Sequence, residues 1–416
     1  MFPTLTDNLN LQISDNYILH WFGPDLFIYD IQNDSDQAQL SPVEADIILA
    51  TNRVHQVREV WNILSQEYGI SETDEGAHRL LFDFLQKLIT QKVLVDGCKS
   101  IPVLGEKGKC FPMTMSIELT NRCNLQCSHC YKEALPENNT FLSTKLALNL
   151  LHQIEGKVYH IEFTGGEATL HPDFEKIVAA TNIESMVLLT NGSRLTDISP
   201  EVLKRFESIQ VSLYGSSQEE YQTYTKTLAF DKVCKGIAKI VELDISCCVA
   251  IILRKSNVPR LQEYIQLLDN LGVRHIRFGL TSKIGRNSTC ANDWDLEYDD
   301  CIRFDKILEQ LKKVYPHIHF SELGWDYHFN NNFPIKDHYT IGCEAGKRVI
   351  VVSERGFVRP CVYLPAQYFE RTSWDEYFTL ITNGELLDTV PCVANCLEDF
   401  QKTGKSISQI CPRAFV

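Results

Sequence analysis

The stretch LTNRCNLQCSHCYKEA, Leu119–Ala134, carries Cys123, Cys127 and Cys130 in a Cys-x3-Cys-x2-Cys spacing. Three thiolates on one short loop suit a metal centre with an open coordination position. A cubane iron–sulfur cluster held by four cysteines is saturated and only passes electrons; held by three, it leaves one iron open to a small molecule. A structural zinc site needs four protein ligands, and no paired Cys-x2-Cys lies close enough in sequence to complete one. A catalytic zinc on three cysteines is the lesser alternative. Other cysteines are unevenly placed. Cys343, Cys361, Cys392, Cys396 and Cys411 spread over the C-terminal tail, whereas Cys234, Cys247, Cys248, Cys290 and Cys301 sit in apolar or helical stretches and read as small core residues. Cys98 and Cys110 flank an apparent linker.

The elements that must position the cysteine loop begin at Met113. Short apolar strands, SIELT, VYHIEFT, SMVLLT, SIQVSL, ISCCVAIIL and RHIRFGL, alternate with amphipathic segments such as STKLALNLLHQIEG, DFEKIVAAT, SPEVLKRF, DKVCKGIAKIVEL and VPRLQEYIQLLDNLG. Six strand–helix units in succession predict an α/β fold with a parallel sheet, a partial (β/α)6 TIM-type barrel over 113–324. In such folds chemistry sits at the C-terminal ends of the strands, where the loop after SIELT falls. Upstream, 1–98 reads as a separate winged-helix-like domain. LQISDNYILHWF and DLFIYDIQ form strands about a GPD turn. A helix then opens at Ser41–Pro42, a second, VREVWNILSQEYG, closes at Gly69, and a third runs into a short strand. Gly, Lys and Pro make 99–112 a linker, and 325–416 is a loop-rich, cysteine-bearing third domain.

Composition narrows the partners. With 416 residues the chain has room for two or three domains, and 44% hydrophobic and 23% charged residues are the proportions of a globular protein. The formal net charge of −14 opposes phosphate-backbone binding, so nucleic acid is excluded as a partner. No apolar run reaches the length of a membrane span, and the start lacks a basic n-region and an apolar h-region. A cytoplasmic location is the expectation. There, fifteen cysteines read as metal ligands or buried thiols rather than disulfides.

Cys-x3-Cys-x2-Cys after the first strand of a parallel α/β fold resembles the radical S-adenosylmethionine (radical SAM) enzymes. The resemblance extends in order through FTGGEATLHPDF, LLTNGSRL, VSLYGSS and KIGR, from about Met113 to Arg286. It implies that Cys123, Cys127 and Cys130 ligate a [4Fe–4S] cluster whose fourth iron takes the amino and carboxylate groups of S-adenosylmethionine. Gly165 and Gly166 would admit the methionyl part, Glu167 would hold its ammonium, and His129 would pack near the adenine. Asn191 and Ser212 match positions around the same cofactor. Each also has a plain structural reading: Gly165–Gly166 as a tight βα turn, Ser212 as a strand-end hydroxyl. Many relatives carry an arginine after the fourth strand to pair the carboxylate. Here that segment reads YQTYTKTLAF, leaving Lys226 as a point charge, or Arg254 at the end of the fifth strand. The family's chemistry is a one-electron cleavage of S-adenosylmethionine to methionine and a 5′-deoxyadenosyl radical, which takes hydrogen from an unactivated C–H bond.

GCEAGKRVIVVSERGFVRPCVY, with Cys343 and Cys361, is similar to the opening of SPASM and twitch extensions, which carry auxiliary iron–sulfur clusters. At least one auxiliary [4Fe–4S] cluster is implied, held by Cys343, Cys361, Cys392 and Cys396, with Cys411 as the replacement. A tail zinc site is the alternative. The first hundred residues resemble the small (PqqD-like) domain that recognises leader peptides of ribosomally made, modified peptides. Such domains add the leader as a strand to a sheet edge, here expected near Leu26–Ile31 and the helix near Val57–Tyr68. The whole resembles peptide maturases of the sactisynthase and cyclophane-forming kind. The implied partners are a precursor peptide with its leader and an electron donor such as flavodoxin or ferredoxin, and the implied product is a thioether or carbon–carbon crosslink. The rivals are an epimerase, a sulfatase-maturing or cofactor-synthesis enzyme, and a non-catalytic redox-sensing iron–sulfur protein.

Overall fold

The computed structural model describes residues 5–31, 37–281, 284–289, 292–294, 296–321, 346–362, 370 and 372–385. It divides into two compact units. One comprises Met1–Met113 with Gly156–Val158 and Leu380–Leu386; the other is built on Thr114–Glu155 and Tyr159–Thr379.

In the first unit the strands are β1 (Leu11–Ile13), β2 (Tyr17–Phe22), β3 (Asp25–Asp30), β4 (Gln37–Gln39), β5 (Leu94–Asp96) and β6 (Val103–Leu104). The helices are α1 (Pro42–Val54), α2 (Val57–Tyr68) and α3 (Glu75–Thr90). LQISDNYILHWF, expected as one strand, is two, because Tyr17 N bonds back to Ser14 O at 3.0 Å and turns the chain. The helix limits follow their local signals. Ser41 Oγ accepts from Glu44 N at 3.3 Å while Glu44 Oε2 accepts from Ser41 N at 2.9 Å, a reciprocal cap with Pro42 in the first turn. Gly69 ends α2 at φ 62°, a conformation open to a residue without Cβ.

Two expectations fail here. The strand at Leu26–Ile31 is not an edge: the sheet order is β4–β3–β2–β6, and Phe27, Ile28 and Tyr29 face Gln39, Ala38 and Gln37. Among the described residues the free edges are β4 and β6. The stretch 99–112 is not a free linker either. Val103 and Leu104 pair with Leu19 and His20, and Ile101, Leu104 and Phe111 are buried. The buried Asn52 holds Ile101 at both backbone groups, donating to its carbonyl at 2.9 Å and accepting its amide at 2.8 Å. Apolar residues between the Gly and Lys positions supply burial that composition averages away.

The second unit contains β7 (Thr114–Thr120), β8 (His160–Gly165), β9 (Ser185–Thr190), β10 (Ser208–Leu213), β11 (Ser246–Ile252), β12 (His275–Gly279) and β13 (His319–Ser321). These are followed by β14 (Val349–Val352), β15 (Phe357–Arg359) and β16 (Thr372–Ser373). The order in the sheet is β13–β12–β11–β10–β9–β8–β7–β14–β15–β16. From β7 to β12 the strands are parallel neighbours in chain order, joined by α4 (Thr144–Ile154), α5 (Phe174–Ala179), α6 (Pro200–Leu203), α7 (Gln218–Thr225), α8 (Phe230–Glu242) and α9 (Leu261–Asn270). This is the expected partial TIM-type barrel. Beyond it, β13 adds at one side, and β14 pairs in parallel with β7 at the other. α10 (Tyr298–Val314) precedes β13 and α11 (Trp374–Thr382) follows β16. In β7 the side chains alternate: Met115, Ile117 and Leu119 on one face, Ser116, Glu118 and Thr120 on the other, all buried. No helix among the described residues is long and apolar enough to cross a membrane.

Replacing Asn52 with alanine strips two buried backbone groups of their partners, at about 1–3 kcal/mol for each unsatisfied group. A lower urea midpoint, equivalent to about 2–6 kcal/mol, is the expected outcome for Asn52→Ala in the full chain. Ser41→Ala should cost about 1 kcal/mol. The Ser41 amide, and after it the Ser41 hydroxyl, hold the Glu44 carboxyl below its usual range. The Glu44 half of the cap therefore contributes fully above that range and fades as pH falls through the lowered value, while the bond from Glu44 N to Ser41 Oγ does not titrate. Urea titrations of both proteins at neutral and acid pH read the difference.

Candidate functional site

The cysteine loop leaves β7 at a register shift between Glu118 and Thr120 and is bound by its backbone on several sides. Gln126 N and Ser128 N donate to Thr225 O and Tyr224 O at the end of α7, each at 3.0 Å. Arg286, in the segment after β12, donates from Nε to Cys127 O and from Nη2 to Ala134 O, both at 2.9 Å, and its amide reaches Cys130 O at 3.1 Å. The end of β8 closes the remaining side. Gly166 N donates to Thr120 O at 2.7 Å and Glu167 N to Arg122 O at 2.8 Å. A Cβ on Gly165 would lie 2.4 Å from Thr120 O, and one on Gly166 2.3 Å from Arg122 O. Glycine is therefore required here by the approach of two backbones, a constraint separate from any ligand.

Glu167 is buried and its carboxylate is fully engaged. Oε1 accepts from Thr169 Oγ1 at 2.6 Å and Thr190 Oγ1 at 2.8 Å, and Oε2 from Asn191 N at 2.8 Å. As placed, it ties β8 to β9. Asn191 then faces the loop: its Nδ2 lies 2.9 Å from Asn124 Oδ1 and 3.7 Å from Cys123 Sγ. Leu125 N also points at that sulfur, at 3.4 Å. Amide donors aimed at a buried sulfur are the surroundings a thiolate ligand needs. Without metal, burial and then the Glu167 charge push the Cys123 thiol up to about 12, and burial drives Cys127 up as well. A bound cation supplies the charge that displaces those protons. Cys123 and Cys130 each raise Cys127 further, so the three sulfurs lie within one another's field. Among the described residues no three His, Cys, Asp or Glu side chains could hold a single metal ion; a cubane spaces its thiolates around a larger body. The loop fits a three-cysteine cluster.

The aromatic side of the site is equally dry. His129 is buried against Trp294 (centroids 4.2 Å) and Tyr214 (4.8 Å). Burial, followed by the Arg254 and Arg286 charges, lowers its pKa to about 3, so the ring is neutral. Ser212 is half-buried at the end of β10. Of the two cations proposed for the cofactor carboxylate, Arg254 is engaged inside the fold and Lys226 is at the surface. The Lys226 ammonium is exposed and donates to Thr223 O at 2.7 Å. Arg254 is fully buried, 2.8 Å from Glu220 Oε1, and lies 3.6 Å from the Tyr224 ring centroid. The structure thus gathers Cys123, Cys127, Cys130, His129, Gly165, Gly166, Glu167 and Asn191 about the loop. Of the tail cysteines, Cys361 follows β15 and is half-buried, and Cys343, Cys392, Cys396 and Cys411 lie outside the described residues. Cys290 does too, whereas Cys247, Cys248 and Cys301 are buried as expected and Cys234, expected in the core, is only half-buried.

The Radical SAM superfamily model matches residues 117–268. The chain is 24% identical over 344 residues to the antilisterial bacteriocin subtilosin biosynthesis protein AlbA of Bacillus subtilis, covering 78% of this chain and 72% of AlbA. It is 23% identical to the sporulation killing factor maturation protein SkfB of the same organism, covering 76% and 75%. In fold it is similar to SuiB of Streptococcus suis, solved with S-adenosylmethionine (TM-score 0.65, 13% identity, 96% and 94% covered) and with its precursor peptide SuiA (TM-score 0.64, 14% identity, 91% and 89% covered). Domains of this superfamily use a [4Fe–4S] cluster together with S-adenosylmethionine.

Gly166→Ala sets a methyl group against Arg122 O, and the loop must move to admit it. Reconstituted Gly166→Ala should lose most of the S-adenosylmethionine-responsive iron–sulfur signal of the wild type, counted per protein. The matched span carries the cysteine loop, the glycine pair that seats it and the strands that support both, so residues 117–268 are a radical SAM domain.

Proposed function

We propose that the chain is a radical SAM peptide maturase that takes hydrogen from a ribosomally made precursor peptide and installs an intramolecular thioether or carbon–carbon crosslink. The observation that carries this reading is the extent of the likeness to AlbA and SkfB. It runs over about three-quarters of this chain and of each relative, well beyond the span 117–268 of the superfamily model. SuiB, solved with a precursor peptide, supports it through a fold shared along nearly the whole chain. When bound, the cluster and S-adenosylmethionine supply a carbon radical able to abstract hydrogen. This chain's residues hold the loop, keep His129 neutral and exclude water behind Trp294 and Tyr221.

The finer assignments belong to the same reading. Cys361 would contribute to an auxiliary [4Fe–4S] cluster with Cys343, Cys392 and Cys396, or with Cys411 in place of one. Residues 1–98 would bind the leader. Because β3 is interior, the leader is assigned to the free edge of β4 as an added strand, where backbone pairing gives affinity. A flavodoxin or ferredoxin would deliver electrons in the cytoplasm.

Reduced, reconstituted protein given S-adenosylmethionine should release 5′-deoxyadenosine, and the Cys123→Ala, Cys127→Ala, Cys130→Ala protein should release none. Co-expression with a short reading frame encoded beside the gene should return a peptide lighter by two hydrogens. A product of unchanged mass containing a D-residue would replace crosslinking with epimerisation. A synthetic leader should compete for binding to the full chain, measured by fluorescence anisotropy; a leader that does not bind removes the role given to residues 1–98.

A further inference from the structure

A buried cluster of charged side chains lies on the face of β7 opposite Met115, Ile117 and Leu119. Glu118, fully buried, accepts at Oε2 from Lys132 Nζ at 2.7 Å and from Arg359 Nη2. Lys132 lies just past Cys130 at the exit of the cysteine loop, and its ammonium also meets Glu354 Oε2 at 2.7 Å. Arg359 ends β15, immediately before Pro360 and Cys361, and its Nε lies 3.5 Å from Glu370 Oε1. One carboxylate thus joins the first barrel strand, the exit of the loop and the β14–β15 hairpin. Lys132 and Glu354 side chains are 10% exposed, Arg359 6% and Glu370 4%, so water screens these charges weakly. Burial by itself would raise the Glu118 carboxyl, but Lys132 and Arg359 outweigh it and hold the group ionised. Glu118 Oε1 has no hydrogen-bond partner among the described residues.

A buried ion group is weak evidence for stability, since replacing it with apolar residues is often neutral or stabilising. Its place gives it another consequence. A negative charge near an iron–sulfur centre opposes reduction and a positive one favours it, and charge and hydrogen bonding are among the levers that set cluster potentials. Arg286 clamps the loop by its carbonyls; this cluster supplies charge of both signs at the loop's exit.

We propose that Glu118, Lys132 and Arg359 are positioning residues for the cysteine-loop centre, fixing the exit of the loop and, through their balance of charge, its reduction potential. This rests on the reading that Cys123, Cys127 and Cys130 hold the S-adenosylmethionine-binding cluster.

The test is a redox titration of the reconstituted full chain, following the electron paramagnetic resonance signal that changes when S-adenosylmethionine is added. Glu118→Gln should shift the midpoint to more positive values. Lys132→Gln and Arg359→Gln should shift it to more negative ones. The double variant Glu118→Gln/Arg359→Gln, with one charge of each sign removed, should return close to wild type, and Arg359→Lys should stay there. A merely structural role would lower iron content in every single variant without opposite shifts. Midpoints that stay put at full iron loading, or a Glu118→Gln midpoint that moves in the same direction as those of the two cation variants, overturn the proposal. If Glu118→Gln fails to fold, negative shifts in Lys132→Gln and Arg359→Gln still support the proposal, and unmoved or positive ones overturn it. A wild-type protein with no S-adenosylmethionine-responsive signal overturns the cluster assignment beneath it, an outcome distinct from a normal wild type with unmoved variants.

Discussion

The contact between the end of β8 and the start of the cysteine loop is the constraint on which the site depends. Gly166 and Glu167 donate their amides to Thr120 and Arg122 carbonyls, and no side chain beyond hydrogen fits at Gly165 or Gly166 without meeting those carbonyls below 3 Å. With that approach made, Glu167 falls where Thr169, Thr190 and the Asn191 amide can surround its carboxylate. Asn191 is then turned toward Cys123. A displacement of the glycines would pass through this chain of bonds to the sulfur, because Thr120, Glu167, Thr169, Thr190 and Asn191 are buried and have no water to substitute for a lost bond.

The loop is held by rigid elements rather than by its own turns. Its carbonyls and amides reach α7, the segment around Arg286, and β8, all at the C-terminal ends of parallel strands, where this architecture places chemistry. The barrel adds a second service in low dielectric. Cys123, Cys127 and His129 are shifted in the directions burial dictates, thiols up and imidazole down. Such a site disfavours free charge until a metal arrives, and it keeps the neighbouring imidazole neutral throughout.

Much of this was legible in the residues. The apolar runs predicted β7 to β12 within a residue or two, since buried parallel strands read as near-continuous hydrophobic stretches. The spacing of Cys123, Cys127 and Cys130, and the order of the segments after them, marked the loop and its partners. The roles assigned to single polar residues were harder to read. Glu167 and Arg254 looked like ligand-binding charges, and both are occupied within the fold, by Thr169, Thr190 and Asn191 and by Glu220. The glycine pair looked like an adaptation to a ligand and is at least as much an adaptation to backbone. Residues 99–112 looked like a linker because Gly and Lys dominate the composition, while Asn52 and a few apolar side chains decide their burial.

Local sequence therefore determined the strands, the helix caps and the chemical type of the loop, because each depends on periodicity or spacing within a short window. Tertiary structure decided which charges are spent inside the protein. Glu118 and Arg359 stand 241 positions apart and meet only because β14 adds beside β7 and β15 beside β14. It also made β3 an interior strand, through the three residues of β4. Pairings of this range depend on which sheet edges find each other, and no stretch of sequence read alone contains both partners.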